Sequence, residues 1–309
     1  EWRRLVGVMG SPSWATSQKF NALKGRLEHQ EELDQGIEAW TKTLGKYEIM
    51  ERCQAAGVPS MPVQSSEDRV ENDPQLRYRE MYRDVEHPVI GTWPLQNAPF
   101  NMSETPAFNS RPSPLIGQHN REVFEGLLGI SHEELMDGFQ DGTFWPKGLS
   151  MDLYPYLREM TEPTATALPV GDGLVEPYTP TPTRSPGATP AGPFTGLRVL
   201  ELSDEKGEFC AKLLADLGAD VVKIEPPGGQ ETRTIGPFYQ DLPHQERSLS
   251  FWNYNTSKRG ITLNLETEDG RRLFRRLAEK ADVILETFKP GYMASLGLGY
   301  EELKKDNPG

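Results

Sequence analysis

Basic residues are in short supply in this 309-residue chain. Against 46 Asp and Glu stand 33 Lys and Arg, a net charge of −13 at neutral pH. Such a surface repels nucleic-acid backbones and anionic bilayers, so neither is an expected partner. A local basic pocket in an acidic protein still takes an anion, so a phosphate-bearing cofactor stays open. Cysteine is scarcer: Cys53 and Cys210 are too few for a disulfide framework or a metal cluster. That usage points to the reducing cytoplasm, with both thiols as small buried hydrophobes. A thiolate at Cys210, near a helix start, is the alternative. No run approaches the 18 apolar residues of a membrane helix, and no signal-peptide pattern is present. His29, His87, His119, His132 and His244 include no pair at metal-binding spacing, and G-x-S-x-G is missing. No metal is expected.

Proline and glycine are plentiful instead, at 26 and 29, which predicts long irregular connections. Composition divides the chain into residues 1–150, 151–193 and 194–309. In the first part Leu33, Ile37, Trp40 and Leu44 form one helical stripe within 17–50. A second helix fits 47–56, ended by Gly57 and the prolines of "VPSMPV". Residues 87–102 read as a strand pair or extended segment. Two short helices follow, "NREVFEGLLG" with Gly129 as C-cap and "SHEELMDG" opened by Ser131. Residues 151–193 are rich in Pro, Thr and Gly and nearly empty of periodic apolar residues, the composition of an extended linker.

From 194 onward, strand and helix alternate. "LRVLEL", "VVKIE", "GITLNL" and "DVILETF" read as strands, with Ile261, Leu263 and Leu265 alternating as on a half-covered one. Between them lie a helix with Phe209, Cys210, Leu213, Leu214 and Leu217 on one face and Gly218 as its C-cap, and another opened by Thr267 with Leu273, Phe274, Leu277 and Ala278 inward. This order predicts an α/β fold with a Rossmann-like, doubly wound parallel sheet, joined to an α+β portion from residues 1–150.

In such a sheet ligands bind outside the carboxyl ends of the strands. The turn "SDEKGE" (203–208) lies there, and Glu225 ends the next strand where a ribose-binding acid belongs. G-x-G-x-x-G is not met, since Gly207 stands alone, so NAD-binding and methyltransferase readings are poorly supported. The otherwise expected state is an ordinary turn with Asp204 and Glu205 solvated. Lys258 and Arg259 read either as a phosphate-meeting pair or as a solvated charged turn. Phe288, at a strand end, stacks on a base or plugs the sheet edge.

"LRVLELS", "LLADLGADVVKIEPPGG", "NTSKRGITLNL" and "ADVILETFKPGYMASLGLGYEEL" together resemble the amino-terminal half of a family III CoA-transferase of the CaiB/BaiF type. "AAGVPSMPVQSSEDRVENDPQLRYREMY" and "SRPSPLIGQHNREVFEGLLG", within about 2–142, are similar to the carboxyl-terminal half of the same family. The resemblance therefore implies the end of one repeat, a linker, and the start of a second. A chain that starts at Glu1 without methionine and ends on "KKDNPG" fits a fragment of a tandem protein.

It further implies coenzyme A as acyl-CoA, a carboxylic acid acceptor, and an aspartate nucleophile that would lie before Glu1 or after Gly309. No catalytic residue is assigned in this chain, and the fragment alone is expected to be inactive. Two repeats, or two copies in a homodimer, would interlock. Position by position, the CoA-contact turn falls on Glu205, Lys206, Gly207, Glu208 and Phe209, without the family's usual proline. Leu263 matches an apolar residue that packs on adenine. Glu266 stands where some members carry lysine, Thr287 and Phe288 where Asn-Phe is usual, and Ser295 where some carry a phosphate-binding arginine. A lost cation at a phosphate costs on the order of 1–3 kcal/mol. The alternatives are a degenerate scaffold repeat, or an acyl-CoA racemase or lyase of the same fold.

Overall fold

The computed structural model describes residues 1–149 and 192–308, so the expected linker lies almost wholly outside the described residues. The chain forms two compact units, Glu1–Asp73 and Pro74–Gly309. Among the described residues no helix is long and apolar enough to cross a membrane.

The first unit is helical. The rings of Trp2 and Trp14 each lie 6.1 Å from that of Phe20, which is buried. Helix Gln30–Thr41 turns Leu33, Ile37 and Trp40 partly inward, but ends before Leu44. Helix Lys46–Ala55 stops at Gly57, whose φ of +69° suits a residue without Cβ.

The second unit opens with an antiparallel hairpin of β1 (Tyr82–His87) and β2 (Gly91–Gln96), with Val85 opposite Trp93. The pair expected within 87–102 thus begins earlier. Charged residues of β1 face solvent while Val85 and His87 alone are buried, so little of it reads as apolar. Residues 122–127 wind as wide π-turns, with Leu128 N donating to Val123 O, and both Val123 and Phe124 enter the core. Ser131 caps the helix His132–Asp141 as expected: its hydroxyl accepts from Glu134 N.

Beyond residue 192, β3 (Arg198–Leu202), β4 (Asp220–Glu225), β5 (Arg259–Thr262) and β6 (Val283–Glu286) form a four-stranded parallel sheet in the order β5-β4-β3-β6. The chain steps outward from β3 to β5 and then returns to the other side of β3. The sheet's topological switch point therefore lies between β3 and β6.

Three expectations are corrected here. Helix Glu208–Asp216 buries Ala211 and Ala215 together with Glu208, Lys212 and Asp216, while Phe209 is 51% exposed and Cys210 is exposed too. The charges can turn inward because each finds a partner; Lys212 Nζ, for one, donates to Asp216 Oδ2 at 2.8 Å. β5 is not half-covered: Gly260, Ile261, Thr262 and Leu263 are all buried. What covers its free edge comes from before residue 150. His119 N donates to Gly260 O, Gly260 N donates to His119 Nδ1, and Asn120 exchanges two hydrogen bonds with Thr262. The hydrophobic core is correspondingly joint, with Ile116, Phe124 and Trp145 packed in one cluster with Leu200, Val222 and Phe274.

Candidate ligand-binding site

The β3–β6 switch point is where the sequence's candidate residues converge. β3 ends at Leu202 and its chain turns through 203–207; Thr287 follows β6 directly. Thr287 Oγ1 donates to Asp204 Oδ1 at 2.8 Å and accepts from Asp204 N at 2.9 Å, tying the two strand ends together. Gly207 is needed for close approach: a Cβ there would lie 2.5 Å from Ser203 Cβ and 3.0 Å from Thr287 Cγ2. Lys206 pairs with Asp204 and, at 3.3 Å, with exposed Glu205. The hydrogen bond to Asp204 raises the Lys206 ammonium's pKa. Burial pushes the Asp204 carboxyl up, but Lys206 and Thr287 together hold it below its ordinary value.

The amides of this turn and of the first helical residue are engaged by Asp204. Gly207 N and Glu208 N donate to Asp204 O, and Lys206 N donates to the Asp204 carboxylate. Asp204 is thus a bonded carboxylate within the turn, partnered by Lys206 and Thr287, rather than a solvated one.

The other candidates gather around Tyr292. Its hydroxyl donates to Glu266 Oε1 at 2.5 Å, a bond that together with burial pushes the phenol up to about 12. The Phe288 ring lies 4.8 Å from the Tyr292 ring. Both aromatics pack on the core that contains Leu263 and Leu265. Ser295 donates to Tyr292 O and brings no charge. Thr287 and Phe288, adjacent in sequence, link this cluster to the turn. Glu205, Lys206, Gly207 and Thr287 therefore meet where the ends of β3 and β6 lie side by side, and Leu263, Glu266 and Phe288 form a neighbouring group.

Both readings of Lys258 and Arg259 are corrected. Lys258 is 0% exposed and its ammonium meets Glu201 at 2.8 Å. Burial pulls it down to about 8, against the upward pull of Glu201. Arg259 pairs with Asp220 at 2.6 Å and Glu122 at 3.1 Å. Neither cation is a solvated one or faces a free phosphate. Glu225 does not present itself to a ribose either: it is fully buried and accepts from Arg233 Nε and Nη2 at 2.6 and 2.7 Å. Sequence reading missed the buried partners Glu201, Lys223 and Arg233. The signal was present, because a charge inside "VLEL" or "VVKI" sits on a strand covered on both faces and must be paired there.

Residues 1–120 and 194–309 match the family profile described as CoA-transferase family III. The chain is 44% identical over 114 residues to succinyl-CoA:(R)-benzylsuccinate CoA-transferase subunit BbsE of Thauera aromatica, covering 37% of this chain and 28% of that protein. It is 47% identical over 128 residues to an acetyl-CoA:oxalate CoA-transferase of Acetobacter aceti, covering 41% and 32%. Among solved structures, a CAIB/BAIF family protein from Brucella suis is 45% identical over 38% of this chain and 31% of that one, with a TM-score of 0.35. The chain spans about a third of the length of the curated relatives it matches.

Proposed function

The chain belongs to CoA-transferase family III, and on that premise we propose that the protein moves CoA between an acyl-CoA and a carboxylic acid. The observation that carries this reading is the meeting of the 203–207 turn with Thr287 at the switch point, the place where a doubly wound sheet takes its ligand. There Lys206 and the turn backbone would meet the cofactor, with Leu263 and Phe288 offering apolar surface to its base. The nucleophilic carboxylate belongs to a part of the protein outside 1–309. It would attack the thioester carbonyl and expel the CoA thiolate. The thiolate would then attack the resulting anhydride at the enzyme's acyl carbon, releasing the donor acid. The acceptor carboxylate would open that enzyme thioester to a second anhydride, and the freed thiolate would attack its acceptor carbon, giving the new acyl-CoA and the free enzyme carboxylate.

The order of the matched segments supports a tandem arrangement. A doubly wound domain begins with a βα unit, and β3 begins at Arg198, well after the segment 1–120. Residues 1–150 are thus read as the end of one repeat, 151–193 as a connection, and 194–309 as the opening half of the next. Two repeats of one chain, or two chains, would assemble the full enzyme, in the cytoplasm.

Titration calorimetry of the complete protein with CoA should give saturable binding. Incubation with an acyl-CoA and a labelled acceptor acid should then give labelled thioester. Gly207→Ala is expected to cost about 1–3 kcal/mol of stability through overpacking and to weaken CoA at least tenfold. Its melting temperature and binding isotherm report the two effects separately.

A second reading, a repeat that has kept the fold and lost CoA, is favoured by two acids. The Asp204 carboxylate lies in the turn that would face a phosphate, and Glu266 bonds Tyr292 where a cation is implied. Absence of saturable CoA binding at this repeat, with the other repeat's site disabled, would establish it.

A further inference from the structure

Four charges lie directly beneath the 203–207 turn, and none reaches solvent in any useful degree. Glu201 comes from β3, Lys223 from β4, Glu208 from the following helix, and Lys258 from the approach to β5; the most exposed of them is 2% accessible. Two carboxylates balance two ammonium groups. Replacing such a set with well-packed apolar side chains is often neutral or stabilising, so stability alone does not account for it.

Direction does. Lys223 Nζ donates to Ser203 O at 3.1 Å and to Glu208 Oε1 at 3.0 Å. Lys258 Nζ donates to Glu208 O at 2.9 Å, to Glu201 Oε1 at 3.0 Å and to Asn255 Oδ1 at 2.8 Å. Ser203 Oγ closes the ring by donating to Glu201 Oε1 at 2.8 Å, and Thr232 Oγ1 holds the Glu208 carboxylate from the far side at 2.8 Å. The carbonyls at either end of the turn, Ser203 O where it begins and Glu208 O in the first helical residue after it, therefore each accept from a different buried lysine. Apolar side chains of equal volume would fill the space without fixing either carbonyl.

We infer that Lys258 is a positioning residue for CoA: with Lys223 it clamps the two ends of the 203–207 turn and so holds the turn in the shape that receives the cofactor. This rests on the CoA reading above. The lysine touches no ligand itself. It acts through Glu208 O and Glu201, as supporting side chains do when they hold a binding loop in one geometry.

The test uses the complete protein and two variants, Lys258→Met and Glu201→Gln/Lys258→Met, each followed by thermal unfolding and by CoA titration at this repeat. The single variant leaves one carboxylate in excess. It is expected to melt earlier and to bind CoA at least tenfold more weakly. The double variant removes one charge of each sign and leaves Lys223 facing Glu208. Its melting temperature should recover, while its CoA affinity stays low because Glu208 O has lost the lysine that ties it to Asn255 and β3. Recovery of both together, or wild-type affinity in a folded Lys258→Met protein, overturns the positioning role. If the single variant does not fold, the double variant decides by the same criterion. If the wild-type repeat takes up no CoA, the CoA reading itself has failed, and the inference fails with it.

Discussion

Expressed without the residues before 150, the 192–309 piece will not form a stable sheet domain; supplied with residues 74–149 as a separate chain, it will. The expectation follows from where the core comes from. Leu115, Ile116, Val123, Phe124, Leu135, Phe144 and Trp145 are each at most 2% exposed. Most belong to the cluster that holds Leu200, Val222, Ile261 and Phe274. Full burial of one such side chain contributes about 1.5–3 kcal/mol, so the seven together contribute roughly 10 kcal/mol even at the low end. A domain's net stability is about 5–15 kcal/mol. Losing only half of that contact would leave little or no margin.

Polar bonds add to the penalty. Without Asn120 and His119, the edge of β5 exposes the N–H and carbonyl of Gly260 and the N–H of Thr262. Without Pro114 O, buried Arg233 loses one of the two acceptors of its Nη2, the one at 2.9 Å. Co-purification of the two pieces, with one cooperative melting transition, is the expected result. A soluble 192–309 piece that melts cooperatively alone would refute it. The same packing gives the folded unit Pro74–Gly309, which draws on residues from both sides of the Pro-rich stretch.

Local rules made much of this fold legible. Apolar runs marked β3 and β4 because both are covered on two faces, and Thr267 marked a helix start because its hydroxyl accepts from Gly270 N. Leu273, Phe274, Leu277 and Ala278 turned inward as their spacing requires. The failures share a cause: a partner distant in sequence. Lys258 and Arg259 look solvated until Glu201 and Asp220 are brought beside them. Thr262 looks like the polar face of a half-covered strand until Asn120, 142 positions earlier, covers it. Phe209 and Cys210 look like a core stripe, but the helix turns by its charges, because Lys212 and Asp216 find Asn109 and Ser257 only inside. The candidate site divides in the same way. Gly207 and Thr287 are legible as strand-end residues, whereas the Asp204–Thr287 and Glu266–Tyr292 bonds depend on tertiary geometry.

Acid will destabilise the second unit well above the range where its ordinary carboxylates titrate. Burial pulls both His87 and His119 from the usual 6.5 down to about 3, helped by Arg233 near the first and by Arg111 and Arg259 near the second. Each ring also accepts a backbone hydrogen bond through Nδ1, from Val89 N and from Gly260 N, which a protonated Nδ1 cannot do. A base whose folded pKa lies below its unfolded one binds fewer protons folded than unfolded between the two values. Stability is therefore flat above 6.5 and falls as pH drops toward 3. At about 1.4 kcal/mol per pH unit for each ring, the two together cost roughly 4 kcal/mol by pH 5. Asp216 works the other way, because burial raises its carboxyl, and it offsets part of the loss. Urea midpoints at about pH 7 and pH 5 measure the sum, since few unpaired carboxylates are protonated in that interval. His119→Asn keeps an acceptor for Gly260 N without a titrating ring, so it should shrink the shift by about half. A midpoint that does not move between the two pH values would mean that both rings are charged in the folded protein, and that β5's edge is not closed by His119 as described.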